Sequence, residues 1–185
     1  FSKGTYYDRY FPATEEVWTR SYVWTTNFTY EASAGSKYYY LHNPSMGYPN
    51  FFLINWFGSR QMGFASQGEA GICPNGDGPY DSCVYNPNVA TVNLNDNQWY
   101  CIEAHVKMNT AGQPDGLAEI FVDGTQTLGY YNRTFRGPNA TNGPAGNNFG
   151  SNTMTALRHY TQAGAGNRYT DDLAVSIGGQ RIGCN

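Results

Sequence analysis

The chain has 185 residues and a formal net charge of −3, the size of one domain with a full core. Charged residues make up only 14% of it and aromatic residues 16%, including 16 tyrosines. The chain has no excess of basic residues that could neutralise phosphates, which argues against nucleic-acid binding. No apolar run is long enough for a membrane-spanning helix. The many aromatic side chains can bury large areas, which argues against disorder. The sequence begins with Phe1 rather than methionine, so we expect a processed mature chain or a fragment.

The residue pattern predicts β-strands throughout. Segments rich in aromatic and β-branched residues are predicted as strands at 17–25, 37–41, 51–57, 99–108, 117–122 and 170–177. Asp123-Gly124 indicates a hairpin turn, and the Gly-, Asn- and Pro-rich stretch 137–152 indicates a loop. Neither a helix nor a repeat nor a second domain is evident. We therefore predict a single all-β domain over residues 1–185, an antiparallel two-sheet β-sandwich of the jelly-roll type.

One predicted strand carries three ionisable side chains on a single face. In the segment 99–108, Glu103, His105 and Lys107 alternate with an apolar set. Three such groups are costly on a dry face, so they need a wet groove, partners, or both. The functional interpretation is a groove in which an extended polysaccharide lies and His105 or Lys107 handles a proton or a carboxylate. The alternative is an ordinary solvated strand face, which antiparallel sheets commonly have.

The aromatic residues exceed what one strand face can bury. The set consists of Trp18, Trp24, Tyr38, Tyr39, Tyr40, Trp56, Trp99, Tyr130 and Tyr131. Flat rings cover the apolar faces of sugars while their polar tips bond hydroxyl groups, so a saccharide-binding surface is one interpretation. Core packing is the other.

Further candidates are basic residues near strands. Arg20 lies within the segment 17–25, where it either binds a substrate carboxylate or pairs with a neighbour such as Glu103. Glu119 is the other such neighbour. Arg60 and Gln61 follow a strand end. His42 follows the Tyr38–Tyr40 run and either faces the groove or serves the structure.

Asp171 and Asp172 open the last predicted strand. Adjacent carboxylates in this position are candidate ligands for Ca²⁺. Other catalytic signatures are absent: the sequence has no G-x-S-x-G elbow, no phosphate loop and no H-E-x-x-H motif. The closely spaced acidic motif of jelly-roll glucanases, E-x-D-x-x-E, is also missing, which argues against a two-carboxylate hydrolase.

Four cysteines predict two disulfides. Cys73 and Cys83 bracket a turn-rich stretch, and a bridge between Cys101 and Cys184 would tie the C-terminus to the core. A zinc site is the alternative, but no C-x-x-C pair exists and the three histidines are scattered.

Disulfides favour a secreted, extracellular protein. Three N-glycosylation sequons agree with this, at Asn27, Asn132 and Asn139.

The segment 99–109, followed by Asp115-Gly116 and Asp123-Gly124, resembles the second half of concanavalin A-like jelly rolls. Within them it is similar to the polysaccharide lyase-like group, which includes glucuronan lyases and a related secreted fungal cellulose-induced protein. The ending 171–184 resembles that group's C-terminus and its Gly-Cys pair, and the strand bearing Arg20 resembles an early strand of the group. Members usually begin with one or two further strands, so we expect this chain to lack them and Asp171 and Asp172 to lack Ca²⁺ partners.

The resemblance implies β-elimination on a uronic-acid polymer, in which a base removes the proton α to the sugar carboxylate while another group neutralises that carboxylate. It implies a groove formed by Arg20, Glu103 and His105, with a Tyr or a His as the base. The candidate catalytic residues are His105, Arg20, Glu103, Lys107 and Gln61. The candidate substrate-binding residues are Arg60, His42, Tyr40 and Trp24.

Three hypotheses for function follow from the sequence. The first is a secreted, lyase-like protein that binds and cleaves polysaccharide. The second is a non-catalytic carbohydrate-binding module. The third is a structural subunit of an extracellular fibre or surface layer that self-assembles through an unpaired sheet edge.

Overall fold

A computed structural model describes residues 6–29, 36–44, 50–55, 60, 62–66, 92–111, 113–133, 153–162 and 165–185. These residues form ten β-strands. In chain order the strands are β1 (Tyr6–Thr14), β2 (Glu16–Thr29), β3 (Ser36–His42), β4 (Asn50–Asn55), β5 (Met62–Ser66), β6 (Trp99–Lys107), β7 (Gly116–Val122), β8 (Thr125–Arg133), β9 (Met154–Gln162) and β10 (Ala165–Ile177). No helix long and apolar enough to cross a membrane occurs in the described part of the chain.

The strands form two antiparallel sheets of five strands each. Sheet I has the order β1-β9-β3-β4-β5, and sheet II has the order β10-β2-β6-β7-β8. Strands distant in sequence lie side by side in both sheets, as β1 and β9 do in sheet I. The predicted fold class, an all-β antiparallel two-sheet sandwich of the jelly-roll type, is confirmed.

The predicted strands coincide with observed ones, and four observed strands were not predicted. The predicted segments 17–25, 37–41, 117–122 and 170–177 lie within β2, β3, β7 and β10. The segment 99–108 exceeds β6 by one residue. The prediction of 51–57 overlaps β4, and Trp56 lies outside the described residues, as does the predicted loop 137–152. The unpredicted strands are β1, β5, β8 and β9.

The core lies between the sheets and uses tyrosine where a typical core uses aliphatic residues. Tyr38 and Tyr39 of β3 are fully buried, and this burial raises the pKa of both hydroxyl groups. The Tyr38 hydroxyl donates to Ser21 Oγ at 2.9 Å, and the Tyr39 hydroxyl shares a hydrogen bond with Thr19 Oγ1. Ser21 and Thr19 belong to β2, so these bonds join the two sheets. Each tyrosine thus buries a large apolar ring while its polar tip has a partner.

Alternation along β2 and β6 decides which side chains face the core and which face outward. Ile102, Ala104 and Val106 are buried in the core cluster. The intervening residues of β6, Glu103 among them, face the outer side of sheet II together with Arg20 of the paired strand. The prediction that Glu103, His105 and Lys107 share one face of their strand is therefore correct.

Candidate functional site

The outer face of sheet I brings together titratable and aromatic side chains from three neighbouring strands. The register places Asp8 of β1 opposite Arg158 of β9, and Arg158 opposite Tyr40 of β3. Because residues opposite each other in antiparallel strands share a face, their side chains meet. We call the resulting group the sheet I cluster; it consists of Asp8, Lys37, Tyr40, His42, Arg158 and Tyr160.

Arg158 is at the centre of the sheet I cluster. Its Nε and NH2 donate to the two carboxylate oxygens of Asp8 at 2.5 and 2.7 Å, and its NH1 donates to the Tyr40 hydroxyl at 3.1 Å. The Tyr6 ring lies 3.9 Å from the guanidinium carbon. The hydrogen bonds from Arg158 lower the pKa of Asp8, so this carboxyl is ionised at neutral pH. The pair is bidentate, the strongest arrangement of these two groups.

Tyr40 and His42 lie behind this ion pair. Their rings meet edge to face with centroids 5.1 Å apart, and the Tyr40 ring also contacts Tyr160. Burial, together with the nearby Arg158 charge, lowers the pKa of His42 to about 4, although Asp8 opposes this shift. The histidine is therefore neutral at pH 7. Its buried Nε2 has no hydrogen-bond partner in the described structure and lies 3.9 Å from Asp8 Oδ1.

Lys37 and Tyr160 lie beside each other in the cluster. Both side chains are half-buried, and Lys37 Nζ lies 6.0 Å from the centre of the Tyr160 ring. Burial lowers the pKa of Lys37. Burial also raises the pKa of Tyr40. An ammonium group beside a tyrosine, with a neutral histidine behind it, provides groups for anion binding and proton transfer.

The lowered pKa values of two histidines, His42 and His159, predict that the folded state loses stability in acid. Burial lowers the pKa of both His42 and His159 to about 4, whereas an unfolded chain titrates at the ordinary value near 6.5. Between these values the unfolded state binds more protons, so the free energy of unfolding falls as pH falls, by an amount on the order of 2–3 kcal/mol per histidine. The lowered pKa of Asp8 has an effect only below about pH 4.

Denaturant titrations at pH 7, 6, 5 and 4 measure this loss. In the His159→Gln variant the amide side chain can replace the hydrogen bond that joins His159 Nε2 and Thr170 Oγ1 at 3.1 Å, and the variant should show a shallower decline. An unfolding free energy constant from pH 7 to 4.5 would contradict the expectation.

Glu103 does not line an open groove. It is completely buried, and Arg181 donates to its carboxylate from Nε at 3.2 Å and from NH2 at 2.7 Å. The Gly183 amide donates to the other oxygen at 2.8 Å. These partners belong to the C-terminal segment, which lies across the outer face of sheet II. Of the two arrangements expected to make a charge on this face tolerable, a wet groove is wrong for Glu103 and partners are present: an internal arginine binds the carboxylate, which has a structural role.

His105 is likewise enclosed by the protein. Its Nδ1 contacts Glu119 Oε2 at 2.8 Å, its Nε2 contacts Glu16 Oε1 at 2.9 Å, and its ring stacks on Trp18 at 4.0 Å. With a carboxylate at each ring nitrogen, both nitrogens are engaged within the fold. Lys107, at the end of β6, is exposed.

Arg20 is paired, but with neither of the expected partners. Although Arg20 and Glu103 are opposite each other in the ladder, Arg20 NH2 binds Asp172 Oδ2 at 2.8 Å and NH1 donates to the Gly183 carbonyl at 3.2 Å. Of its two expected functions, ion pairing is the one that the geometry supports.

The residues expected to bind Ca²⁺ do not fit that ion. The Asp172 carboxylate is taken by Arg20, and Asp171 Oδ1 accepts the Asp172 amide at 2.8 Å. No group of three or more His, Cys, Asp or Glu side chains able to hold a metal occurs among the described residues. A cation at Asp172 would have to compete with the Arg20 guanidinium, so Ca²⁺ has no part in the chemistry proposed below.

Trp24 and Arg60 lie away from the sheet I cluster. Trp24 is on the outer face of sheet II beside Trp99, with ring centroids 5.8 Å apart. Arg60 NH2 donates to Asp96 Oδ2 at 3.2 Å. Gln61 lies outside the described residues. Of the predicted substrate-binding residues, the structure brings only Tyr40 and His42 together.

The bridge between Cys101 and Cys184 is present, as predicted, and closes a sequence separation of 83 residues. Cys73 and Cys83 lie outside the described residues, as does Asn139. Asn27 and Asn132 are exposed, which is compatible with glycosylation at these two sequons.

Four members of the sheet I cluster were missed in the sequence: Asp8, Lys37, Arg158 and Tyr160. Asp8 and Arg158 are 150 positions apart and meet only because β1 pairs with β9. The available signal was the segment 158–160, in which an arginine, a histidine and a tyrosine follow one another in a charge-poor chain.

Comparisons with known proteins bear on the fold. No protein-family model and no curated protein matches the chain. Among solved structures, an endo-β-1,4-glucuronan lyase from the fungus Trichoderma reesei aligns at 13% identity and a TM-score of 0.55, over 96% of this chain and 76% of that one. The cellulose-induced protein Cip1 aligns at 16% identity and a TM-score of 0.50, over 93% of this chain and 71% of that one.

A third similar structure is a variant of alginate lyase Aly36B in complex with an alginate tetrasaccharide. It aligns at 14% identity and a TM-score of 0.60, over 93% of this chain and 73% of that one. In that variant a lysine and a tyrosine are replaced by alanine. Identities this low show a common fold. The resemblance to the polysaccharide lyase-like jelly rolls is thus confirmed, and the chain has the jelly-roll fold that these lyases and Cip1 share.

Proposed function

We propose that the protein is a polysaccharide lyase that binds a uronic-acid polymer on the outer face of sheet I and cleaves it by β-elimination. The observation that carries this proposal is the position of Lys37 beside Tyr160, with Tyr40 and neutral His42 directly behind them. Support comes from the fold shared with alginate and glucuronan lyases.

Elimination requires charge neutralisation and proton transfer. A base removes the proton on the carbon next to the carboxylate, the electron pair forms a carbon–carbon double bond, and the bond to the glycosidic oxygen breaks. That oxygen then takes a proton. We assign neutralisation of the carboxylate to Lys37 and proton transfer to Tyr160, because both are partly exposed, whereas Arg158, although partly exposed as well, is bound to Asp8.

Tyr40 and His42 are assigned a supporting role. Tyr40 packs against Tyr160 and accepts a hydrogen bond from Arg158, which fixes the position of its ring and hydroxyl. His42 remains neutral and adds no charge to the site at pH 7. The lysine and tyrosine that were replaced in the saccharide complex of Aly36B are the same residue types as the pair assigned here.

We also propose that the protein acts outside the cell. The disulfide between Cys101 and Cys184 is the type of bond that persists in oxidising compartments.

The test of the lyase proposal is incubation of the purified protein with glucuronan, with alginate and with a neutral glucan. Elimination creates a double bond conjugated to the carboxylate, so a rise in ultraviolet absorbance is expected with one of the acidic polymers and none with the glucan. The absence of unsaturated product from every uronate polymer would rule out the lyase.

A second candidate function, a non-catalytic carbohydrate-binding module, is favoured by an aromatic row on sheet II. Tyr169, Trp24 and Trp99 are consecutive partners across β10, β2 and β6. Tyr169 and Trp99 are 53% and 45% exposed. Such rings suit the apolar faces of sugars. If this row is the binding surface, Trp99→Ala reduces retention on a polysaccharide affinity gel and Tyr7→Ala, a control at an exposed aromatic residue of sheet I, does not.

Self-assembly through a sheet edge, the third hypothesis from the sequence, has no support among the described contacts.

A further inference from the structure

The Nε–NH2 edge of the Arg158 guanidinium, which can hold a carboxylate by two parallel hydrogen bonds, is occupied within the protein. Asp8 takes Nε and NH2, Tyr40 takes NH1, and the Tyr6 ring lies against one face. A uronate carboxylate would find only the remaining N–H groups of NH1 and NH2, and there it would lie beside the Asp8 carboxylate, which repels it. To bind the Nε–NH2 edge, substrate would have to displace Asp8, whose side chain is only 11% exposed, and the displaced carboxylate would then lie beside that of the substrate.

This arrangement separates the two cations of the sheet I cluster. Arg158 and Tyr160 are two residues apart on β9 and point to the same side, so their positions differ by about 7 Å along the strand. Arg158 is neutralised internally by Asp8, whereas Lys37 lies at the Tyr160 end. A polysaccharide running along β9 thus meets an ammonium group at one position and a charge-neutral pair at the next.

The chemistry of the second position suits an uncharged sugar. Tyr6 and Tyr10 of β1 are exposed there, at 59% and 66%, and the Tyr10 hydroxyl donates to Asp8 at 3.5 Å. Aromatic rings and hydroxyls bind sugar faces and hydroxyl groups, while the Asp8 carboxylate repels a second anion.

We propose that Asp8 is a specificity-determining residue: it occupies Arg158 as an internal carboxylate and so selects a heteropolysaccharide with an uncharged sugar next to the uronate. The proposal rests on the function proposed above and deepens it by naming the substrate class. A homopolymer of uronate, which places a carboxylate on every unit, is the disfavoured ligand.

Calorimetric titration of three proteins tests the proposal: the native protein, Asp8→Asn and the double variant Asp8→Asn/Arg158→Gln. The probes are a homopolymeric glucuronate oligosaccharide and one that alternates glucuronate with an uncharged hexose. Asp8→Asn releases a cation, so its affinity for the homopolymeric oligosaccharide should rise about tenfold or more. The double variant, which removes both charges, should bind that probe as the native protein does.

Asp171→Asn is the matched control, because Asp171 is an exposed carboxylate on the other sheet. No gain of affinity in Asp8→Asn overturns the proposal. A loss of about tenfold or more in the double variant also overturns it, since Arg158 would then be a substrate ligand. The measurement on the double variant remains a valid test even if the Asp8→Asn single variant does not fold.

The outcome for Asp8 is separable from the outcome for the lyase. If the native protein forms no unsaturated product but Asp8→Asn gains affinity for the homopolymeric oligosaccharide, the specificity proposal stands and the lyase proposal fails. If the native protein cleaves glucuronan as fast as the alternating polymer, the specificity proposal fails and the lyase proposal stands.

Discussion

Glu103→Gln should lower the free energy of unfolding by about 3–5 kcal/mol, the usual cost of removing one partner of a buried ion pair. The carboxylate is completely buried and accepts hydrogen bonds from both Arg181 and the Gly183 amide. An amide in its place keeps the volume but leaves the guanidinium without its counter-ion. The guanidinium carbon of Arg181 also lies 4.1 Å from the centre of the Phe121 ring, so a shift of the arginine side chain would disturb packing on sheet II.

Urea titrations of the native protein, Glu103→Gln, Arg181→Gln and the double variant measure the effect and the coupling between the two residues. Arg181→Gln should cost at least as much as Glu103→Gln, because it leaves a completely buried carboxylate without its cation, whereas the guanidinium that Glu103→Gln leaves unpaired is 39% exposed. The control is Glu15→Gln, at an exposed glutamate. A loss below about 1 kcal/mol in Glu103→Gln, comparable to a surface ion pair, would contradict the structural role.

This experiment also separates the two roles that the sequence left open for Glu103. A groove-lining carboxylate would leave stability nearly unchanged on substitution and would reduce activity alone. Disulfide Cys101–Cys184 ties the same C-terminal segment to β6, so that segment stays attached to the sheet by two independent means.

Strand alternation predicted the faces of sheet II correctly but could not predict what covers them. In β6, the period of two placed Glu103 and His105 on one side and Ile102 and Ala104 on the other, as the structure has them. Whether that side is wet depends on Arg181, which is 78 positions away from Glu103. No local sequence pattern predicts a contact between two residues so far apart, because tertiary contacts determine the path of the chain after its last strand.

The sheet I cluster shows the same limit for a functional site. Tyr40 and His42 stood out because they lie two residues apart at the end of β3, where Tyr40 closes a run of three tyrosines. Arg158 and Asp8 lie in β9 and β1, which carry charges and weak alternation and were not recognised as strands. The pairing of β1 with β9 makes the bidentate contact. Elements rich in β-formers were thus predictable, and sites assembled across distant strands were not.

Tyr160→Phe should reduce the turnover number on the acidic polymer by a factor of about 10²–10⁴, the usual contribution of a positioned proton-transfer group. The variant keeps the ring, and with it the contacts to Tyr40 and Lys37, and removes only the hydroxyl. Since the hydroxyl moves a proton in the transition state and binds no charge in the ground state, KM should change little. Steady-state absorbance assays of product formation give both constants.

Lys37→Met should produce the complementary result, because it removes the cation assigned to the substrate carboxylate. Its affinity for an acidic oligosaccharide should fall as well as its turnover, whereas Tyr160→Phe should bind the oligosaccharide like the native protein. Tyr7→Phe, at an exposed tyrosine outside the sheet I cluster, is the matched control and should be fully active. Full activity in Tyr160→Phe would exclude this hydroxyl from the reaction. Proton transfer would then fall to Tyr40, whose hydroxyl Arg158 already holds by a hydrogen bond.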